Sequence, residues 1–187
     1  VGIQICFEAS SGEEALTKLR TIPCDVLLLD ISLPGKSGID VLRTVCQRHP
    51  EVKVLMLSGF PEESYALAVI RNGASGYLSK DCDQQELLKA IHVVGTGRRY
   101  ASAKTSELLA DEMSGNRTSK PHESLSDREL QVFLRLAKGE SVSEIAKNLN
   151  LSVKTISTYR SRLSEKLDVT SNAGMATYAL RNGLIAE

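Results

Sequence analysis

An aspartate, a serine and a lysine close three successive apolar runs: Asp30 after Val26-Leu27-Leu28-Leu29, Ser58 after Leu55-Met56-Leu57, and Lys80 after Tyr77-Leu78-Ser79. A carboxylate, a hydroxyl and an ammonium brought to one place suit an acyl phosphate. In that chemistry Asp30 attacks phosphorus, Ser58 donates to one phosphoryl oxygen and Lys80 neutralises another. A divalent cation is also needed to offset the added charge. Singly these residues are commonplace, because Asp and Ser at strand ends often cap helices or form turns, and a lone Lys is usually solvated. Their recurrence at three strand ends carries the reading.

The positioning elements are legible as alternating apolar runs and amphipathic segments from Gly2 to about Ile91, the pattern of βα units around a parallel sheet. Strands are expected at Ile3 to Phe7, Asp25 to Ile31, Lys53 to Leu57 and Gly76 to Leu78. Helices are expected near Glu13 to Arg20, Gly38 to Arg48, Glu63 to Asn72 and Gln84 to Gly95. Ser11-x-x-Glu14 reads as a capping box, Gly73 as a left-handed helix stop and Pro34-Gly35 as a turn. In an open parallel sheet, functional groups collect at the carboxyl ends of the strands, where the three residues fall.

After Tyr100 the text turns polar. Lys104 to Met113 can form a short helix, and Ser114 to Pro121 reads as a flexible tether. From Leu125 onward four helices are expected. Ser126-x-x-Glu129 and Ser141-x-x-Glu144 are capping boxes, Gly139 closes the first helix, Ser152 opens the third, and the fourth spans roughly Asn172 to Asn182 before Gly183. On the third, Ile156, Tyr159, Leu163 and Leu167 share one side, which should pack on Ile145, Ala146 and Leu149. The opposite side presents Lys154, Ser157, Thr158, Ser161 and Arg162. From Val153 to Leu167 there are four basic residues, Lys154, Arg160, Arg162 and Lys166, against one acidic residue, Glu165. A short helix, a tight turn and a helix with such a face form a helix-turn-helix suited to the major groove of DNA.

The 187 residues, 42% of them hydrophobic, suit two small domains. Lys plus Arg equals Asp plus Glu at 23 each, so any basic surface is local. Cys6, Cys24, Cys46 and Cys82 lie far apart without a His cluster, which disfavours a zinc site or a disulfide framework; reduced, mostly buried thiols are expected. With neither a long apolar span nor a leader peptide, a cytoplasmic protein that does not enter membranes is expected.

Residues Leu28-Leu29-Asp30-Ile31-Ser32-Leu33-Pro34-Gly35, Ser58-Gly59 and Gly73 to Lys80 resemble the receiver domain of two-component response regulators. Residues 125–185 resemble the LuxR-type DNA-binding domain of the NarL/FixJ group, with Lys154 to Arg160 closest to its BvgA/EvgA/GacA-like members. The resemblance implies an α/β receiver on a flavodoxin-like parallel sheet at 1–100, a linker at 101–122 and an all-α four-helix unit at 123–187. It implies Asp30 as phosphoacceptor, Ser58 and Tyr77 as the switch pair and Lys80 as the phosphate-binding lysine. For DNA it implies Ser157, Thr158 and Ser161 at bases, with Lys154, Thr155, Arg160 and Arg162 on the same surface and the cations on phosphates. Its implied partners are promoter DNA, a sensor histidine kinase and a second copy of the chain; RNA polymerase is a further partner it admits. Ala173, Ala176 and Leu180 are either a dimer seam or part of the four-helix core. Phosphorylation is expected to relieve contact between the halves.

The resemblance also implies Mg²⁺, held by Asp30, the main-chain carbonyl of Ser32 and an acidic pair on a first strand. This sequence opens at what resembles the second strand, and the acidic pair is absent from it. An N-terminally trimmed form of a longer protein is the preferred expectation, with an open slot in the sheet and badly impaired metal binding and phosphotransfer. A regulator independent of phosphorylation is the alternative. An aspartyl-phosphate phosphohydrolase is disfavoured, because Ser32 stands where such enzymes carry a second Asp.

Overall fold

Val26–Asp30 (β1), Lys53–Ser58 (β2) and Gly76–Ser79 (β3) pair in parallel in the order β1-β2-β3. Apolar runs rather than alternation suit strands covered on both faces, and β2 buries Val54, Leu55 and Met56 completely or nearly so. The crossovers carry α2 (Gly38–Arg48) and α3 (Glu62–Arg71), with α1 (Gly12–Lys18) before the sheet and α4 (Gln84–Gly95) after it. Ser11, Ser37 and Asp83 cap α1, α2 and α4 by accepting from the main-chain N–H three residues on. Gly73 ends α3 at φ +98°, a left-handed conformation that costs glycine little. The computed structural model describes residues 2–114 and 120–185.

Three expectations in this half need correction. Ile3 to Phe7 is not a strand: the segment has no ladder partner and lies across a cavity of about 1010 Å³ from the free edge of β1. A strand needs a partner within about 5 Å to satisfy its main chain, and across that gap it has none. The expected open slot is therefore there, and Ile5 is left 73% exposed beside it. The Ser11 capping box is also only half formed, since the Glu14 carboxylate accepts from the N–H and hydroxyl of Ser10. The thiols are all free, as expected, but less buried: Cys6 is exposed and the other three are half-buried, with burial pushing those three up in pKa.

The second half opens with α5 (Ala103–Met113), which packs on α3. Ser102 and Thr105 donate to the Glu62 carboxylate, and Arg71 pairs with Glu112. The expected tether falls largely on residues 115–119, outside the described residues. After a 3-10 turn at Pro121–Ser124 come α6 (Asp127–Ala137), α7 (Val142–Leu149), α8 (Val153–Leu167) and α9 (Asn172–Arg181). Both expected capping boxes are complete. Asn150 and Asp168 stop α7 and α8 in the left-handed conformation at φ 53° and 52°, which their short polar side chains tolerate better than most. Phe133, Leu134, Ile145, Ile156, Leu163 and Met175 fill the core. Met175 and Ala179 are the core residues of α9, whereas Ala173 and Leu180 are exposed and Ala176 is half-buried.

Glu129 ties this unit together. Its carboxylate accepts from the N–H and hydroxyl of Ser126 and from Lys166 of α8 at 2.7 Å. Burial pushes its pKa up, but these donors outweigh burial and hold it below the ordinary glutamate value. A lowered carboxyl pKa contributes stability above the unfolded value of about 4.5 that is lost as pH falls through the folded value. Glu129→Gln should flatten the acid limb of stability in urea titrations read between pH 3 and pH 6 (roughly the range in which carboxylates protonate). An unchanged limb would remove Glu129 from the acid response.

Candidate phosphoacceptor site and nucleic-acid interface

Parallel register sets Asp30 beside Leu57 and Ser58 beside Ser79, so the three strand ends open on one edge. The Lys80 N–H donates to the Ser58 carbonyl at 2.7 Å, extending the ladder by one bond. That places the Lys80 ammonium 2.6 Å from Asp30 Oδ2. The other Asp30 oxygen accepts the Ser32 N–H at 2.9 Å. Ser58 is buried, its hydroxyl accepting the Phe60 N–H at 3.1 Å. Tyr77 is fully buried, its hydroxyl donates to the Phe60 carbonyl at 2.7 Å, and burial pushes the phenol pKa up. Asp30 and Lys80 thus meet directly, while Ser58 and Tyr77 meet through the main chain of Phe60. The arrangement offers a carboxylate nucleophile with a cation beside it and a hydroxyl one loop away.

Receiver-family proteins typically use Mg²⁺. Among the described residues no three His, Cys, Asp or Glu side chains cluster as a metal site. Asp30 already has one oxygen on Lys80 and the other on Ser32 N–H. Mg²⁺ asks for six oxygens at near-ideal octahedral angles, commonly one or two carboxylates plus waters. Asp30 and the Ser32 carbonyl do not by themselves make that set.

The helix-turn-helix is α7, the turn at Asn150 to Ser152, and α8. Ile156, Leu163 and Leu167 are buried and Tyr159 is half-buried against the same core. Lys154, Ser157, Thr158, Arg160, Ser161 and Arg162 are all exposed. The Ser157, Thr158 and Ser161 hydroxyls donate to carbonyls four residues back, at 2.9, 3.0 and 3.2 Å. In this state their lone pairs face outward, and donation to a base requires a rotamer change. Thr155 has a second duty, since its N–H and hydroxyl engage the N-cap Ser152. A shallow cavity of about 390 Å³ runs along Ser157, Arg160, Ser161 and Ser164.

What sequence reasoning missed is the role of α6, which lies across the loops leaving β1 and β2. Arg128 Nη2 donates to the Gly35 carbonyl at 2.8 Å, Gln131 to the Ile31 carbonyl at 3.2 Å and Lys138 to the Gly59 carbonyl at 3.1 Å. Lys138 also sits 4.2 Å above the Phe60 ring, and Arg43 pairs with Asp127 at 2.7 Å. One apolar cluster runs through both halves, from Ile31, Phe60 and Tyr65 to Phe133 and Leu134. The available signal was Gln131, an amide inside the run Leu130 to Leu134 and only 1% exposed. The clasp touches residues next to Asp30 and Ser58, yet it leaves the outward face of α8 uncovered.

The family described as response regulator receiver domain matches residues 1–92, and that described as bacterial regulatory proteins, luxR family, matches residues 123–179. Response regulator UvrY of Escherichia coli K12 is 39% identical over 98% of this chain and 84% of its own length. Response regulator GacA of Pseudomonas aeruginosa is 34% identical over 98% of this chain and 86% of its own length. Among solved structures, RcsB from Salmonella enterica serovar Typhimurium bound to promoter rprA with the phosphomimetic BeF₃⁻ superposes with TM-score 0.60. It is 26% identical, covering 90% of this chain and 81% of that one. Among the described residues no helix is long and apolar enough to cross a membrane. A parallel α/β unit with its polar triad at the strand ends, followed by a helix-turn-helix and matched over nearly the whole chain, makes this protein a member of the two-component response regulators with a LuxR-type DNA-binding domain, a family of transcription regulators and not of enzymes.

Proposed function

We propose that the protein takes a phosphoryl group on Asp30 from a sensor histidine kinase and binds promoter DNA as a dimer through α8. The observation that carries the first part is Lys80 at 2.6 Å from Asp30, with buried Ser58 on the neighbouring strand end. In the transfer, an Asp30 oxygen bonds to phosphorus as the phosphorus–nitrogen bond of a phosphohistidine breaks and the imidazole leaves. Lys80 offsets the added charge, and the Ser58 hydroxyl, released from Phe60, donates to a phosphoryl oxygen. Domain limits of 1–100, 101–122 and 123–187 accompany this reading. Exposed Ala173 and Leu180 on α9, with Ala176 between them, support a dimer seam there.

The test is to incubate the chain with Mg²⁺ and acetyl phosphate and weigh it intact. A phosphate-sized gain that Asp30→Asn removes is expected, partial and slow because Asp30 and the Ser32 carbonyl alone do not complete an Mg²⁺ set. That no three metal-ligating side chains cluster among the described residues favours one other reading, a regulator whose DNA binding does not depend on phosphate. No mass gain together with undiminished DNA binding would select it.

On the DNA side, Lys154→Ala should weaken binding to all duplexes and flatten its salt dependence. Thr158→Ala should instead change sequence preference, at about 1–3 kcal/mol for each affected base pair. Anisotropy titrations against a duplex library check both, and equal losses on every duplex for Thr158→Ala would remove it from base reading.

A further inference from the structure

We infer that the receiver itself supplies part of the DNA-contacting surface: Lys36, on the loop between β1 and α2, reaches the phosphate backbone beside α8 while the two halves are docked. The inference rests on the DNA-binding reading of α8 and adds a residue from the other domain. Its basis is where the loop is fastened. The Gly35 N–H donates to the Leu149 carbonyl at 3.2 Å, and Arg128 Nη2 donates to both the Gly35 and the Leu149 carbonyls, at 2.8 and 3.4 Å. Leu149 is the last residue of α7, and α8 begins at Val153, so the loop is bolted to the turn that presents the recognition helix.

Lys36 follows Gly35 directly, is exposed, and has no hydrogen bond or ion pair with any described residue. The Lys147 and Lys154 ammonium groups are likewise exposed and without a hydrogen bond or ion pair to any described residue, although their carbonyls are engaged, by the Asn150 N–H and the Thr158 hydroxyl respectively. Such cations can exchange water and counterions for phosphates without breaking a native pair. No acidic residue interrupts the stretch from Ile145 to Arg162, and Lys36 is the one charged residue between Ile31 and Ser37. The positive surface of an otherwise neutral chain therefore continues from α8 across the turn onto the receiver loop. Sequence-independent affinity comes mainly from such phosphate contacts.

The sign of regulation follows. Because docking adds a cation and leaves α8 open, DNA and the clasp favour each other, and by linkage each strengthens the other. Undocking then weakens general DNA binding instead of unmasking it.

The experiment measures binding of the full chain to a short mixed-sequence duplex by fluorescence anisotropy across a KCl series. Lys36→Gln should make the log–log salt slope shallower by about 0.9 per bound protomer, the loss of one phosphate contact each, and Lys154→Gln should do the same. In an Arg43→Glu/Arg128→Ala background, with undocking verified by an increased radius of gyration in X-ray scattering and folding by circular dichroism, Lys36→Gln should change nothing further. An unchanged slope for Lys36→Gln beside a shallower one for Lys154→Gln would overturn the inference and leave the DNA reading intact. An equal Lys36 effect in the undocked background would overturn it too. If neither lysine moves the slope, the DNA reading of α8 fails and this inference fails with it.

Discussion

Phe133→Ala is expected to destabilise the helical unit by about 3–5 kcal/mol, the usual cost of emptying a buried Phe site. Phe133 is fully buried on α6, and its ring stands edge-on to Tyr178 with centroids 6.0 Å apart. Tyr178 in turn meets His122 Nδ1 at 3.1 Å, so the cavity would loosen α6, α9 and the 3-10 turn together. A unit of roughly 60 residues has only about 3–9 kcal/mol of stability in total. The loss should lower its melting temperature by on the order of 20 °C, since 1 kcal/mol moves a domain of this size by about 4–8 °C. Thermal scans by far-ultraviolet circular dichroism provide the measurement. A shift of only a few degrees would mean that α6 is not the keystone of the core. The same α6 carries the clasp to the receiver, so the variant should also lose interdomain protection in hydrogen exchange.

Gly38→Ala is expected to cost about 3 kcal/mol, the upper part of the ordinary overpacking range, and to abolish phosphate uptake with Asp30 still present. Gly38 opens α2 directly behind Asp30, the proposed phosphoacceptor. A Cβ there would lie 2.1 Å from the Asp30 carbonyl oxygen and 2.8 Å from the Ile31 Cα, both main-chain atoms that no side-chain rotation can move aside. The Gly38 N–H also donates to the Ile31 carbonyl at 3.1 Å, holding the loop in place. Relief requires the end of β1 to shift, which takes the carboxylate away from Lys80. The sign is diagnostic, because in a roomy helical position Ala would stabilise over Gly by about 1 kcal/mol. A gain in stability, or retained phosphate uptake by intact mass, would show that α2 does not press on the site.

Much of this molecule was legible from local pattern. Apolar runs of strand length at Val26, Lys53 and Gly76, a polar residue at each carboxyl end, and the serine caps of α6, α7 and α8 are all read from a few adjacent residues. The α8 faces follow from helical periodicity alone, with Ile156 and Leu163 inside and Lys154 and Arg162 outside. Ile3 to Phe7 was misread because strand propensity describes only the residues themselves. Whether they join a sheet depends on a partner within bonding distance, and the free edge of β1 lies across a cavity.

The helix α9 left two options open for the same reason, since Ala173 and Leu180 suit a core or a surface equally and only packing put them outside. The clasp is the clearest case. Arg128 and Gly35 are 93 residues apart, and Gln131 and Ile31 are 100 apart. Each bond ends on a main-chain carbonyl, which carries no residue identity and leaves no mark in the text. By itself the sequence determined which polar groups stand at the strand ends and which side of α8 is polar and exposed, because both follow from residue type and local period. Only the tertiary structure decided that α6 grips the loops beside Asp30 and Ser58 while α8 stays open, because that choice lies in long-range packing and in hydrogen bonds to an anonymous backbone.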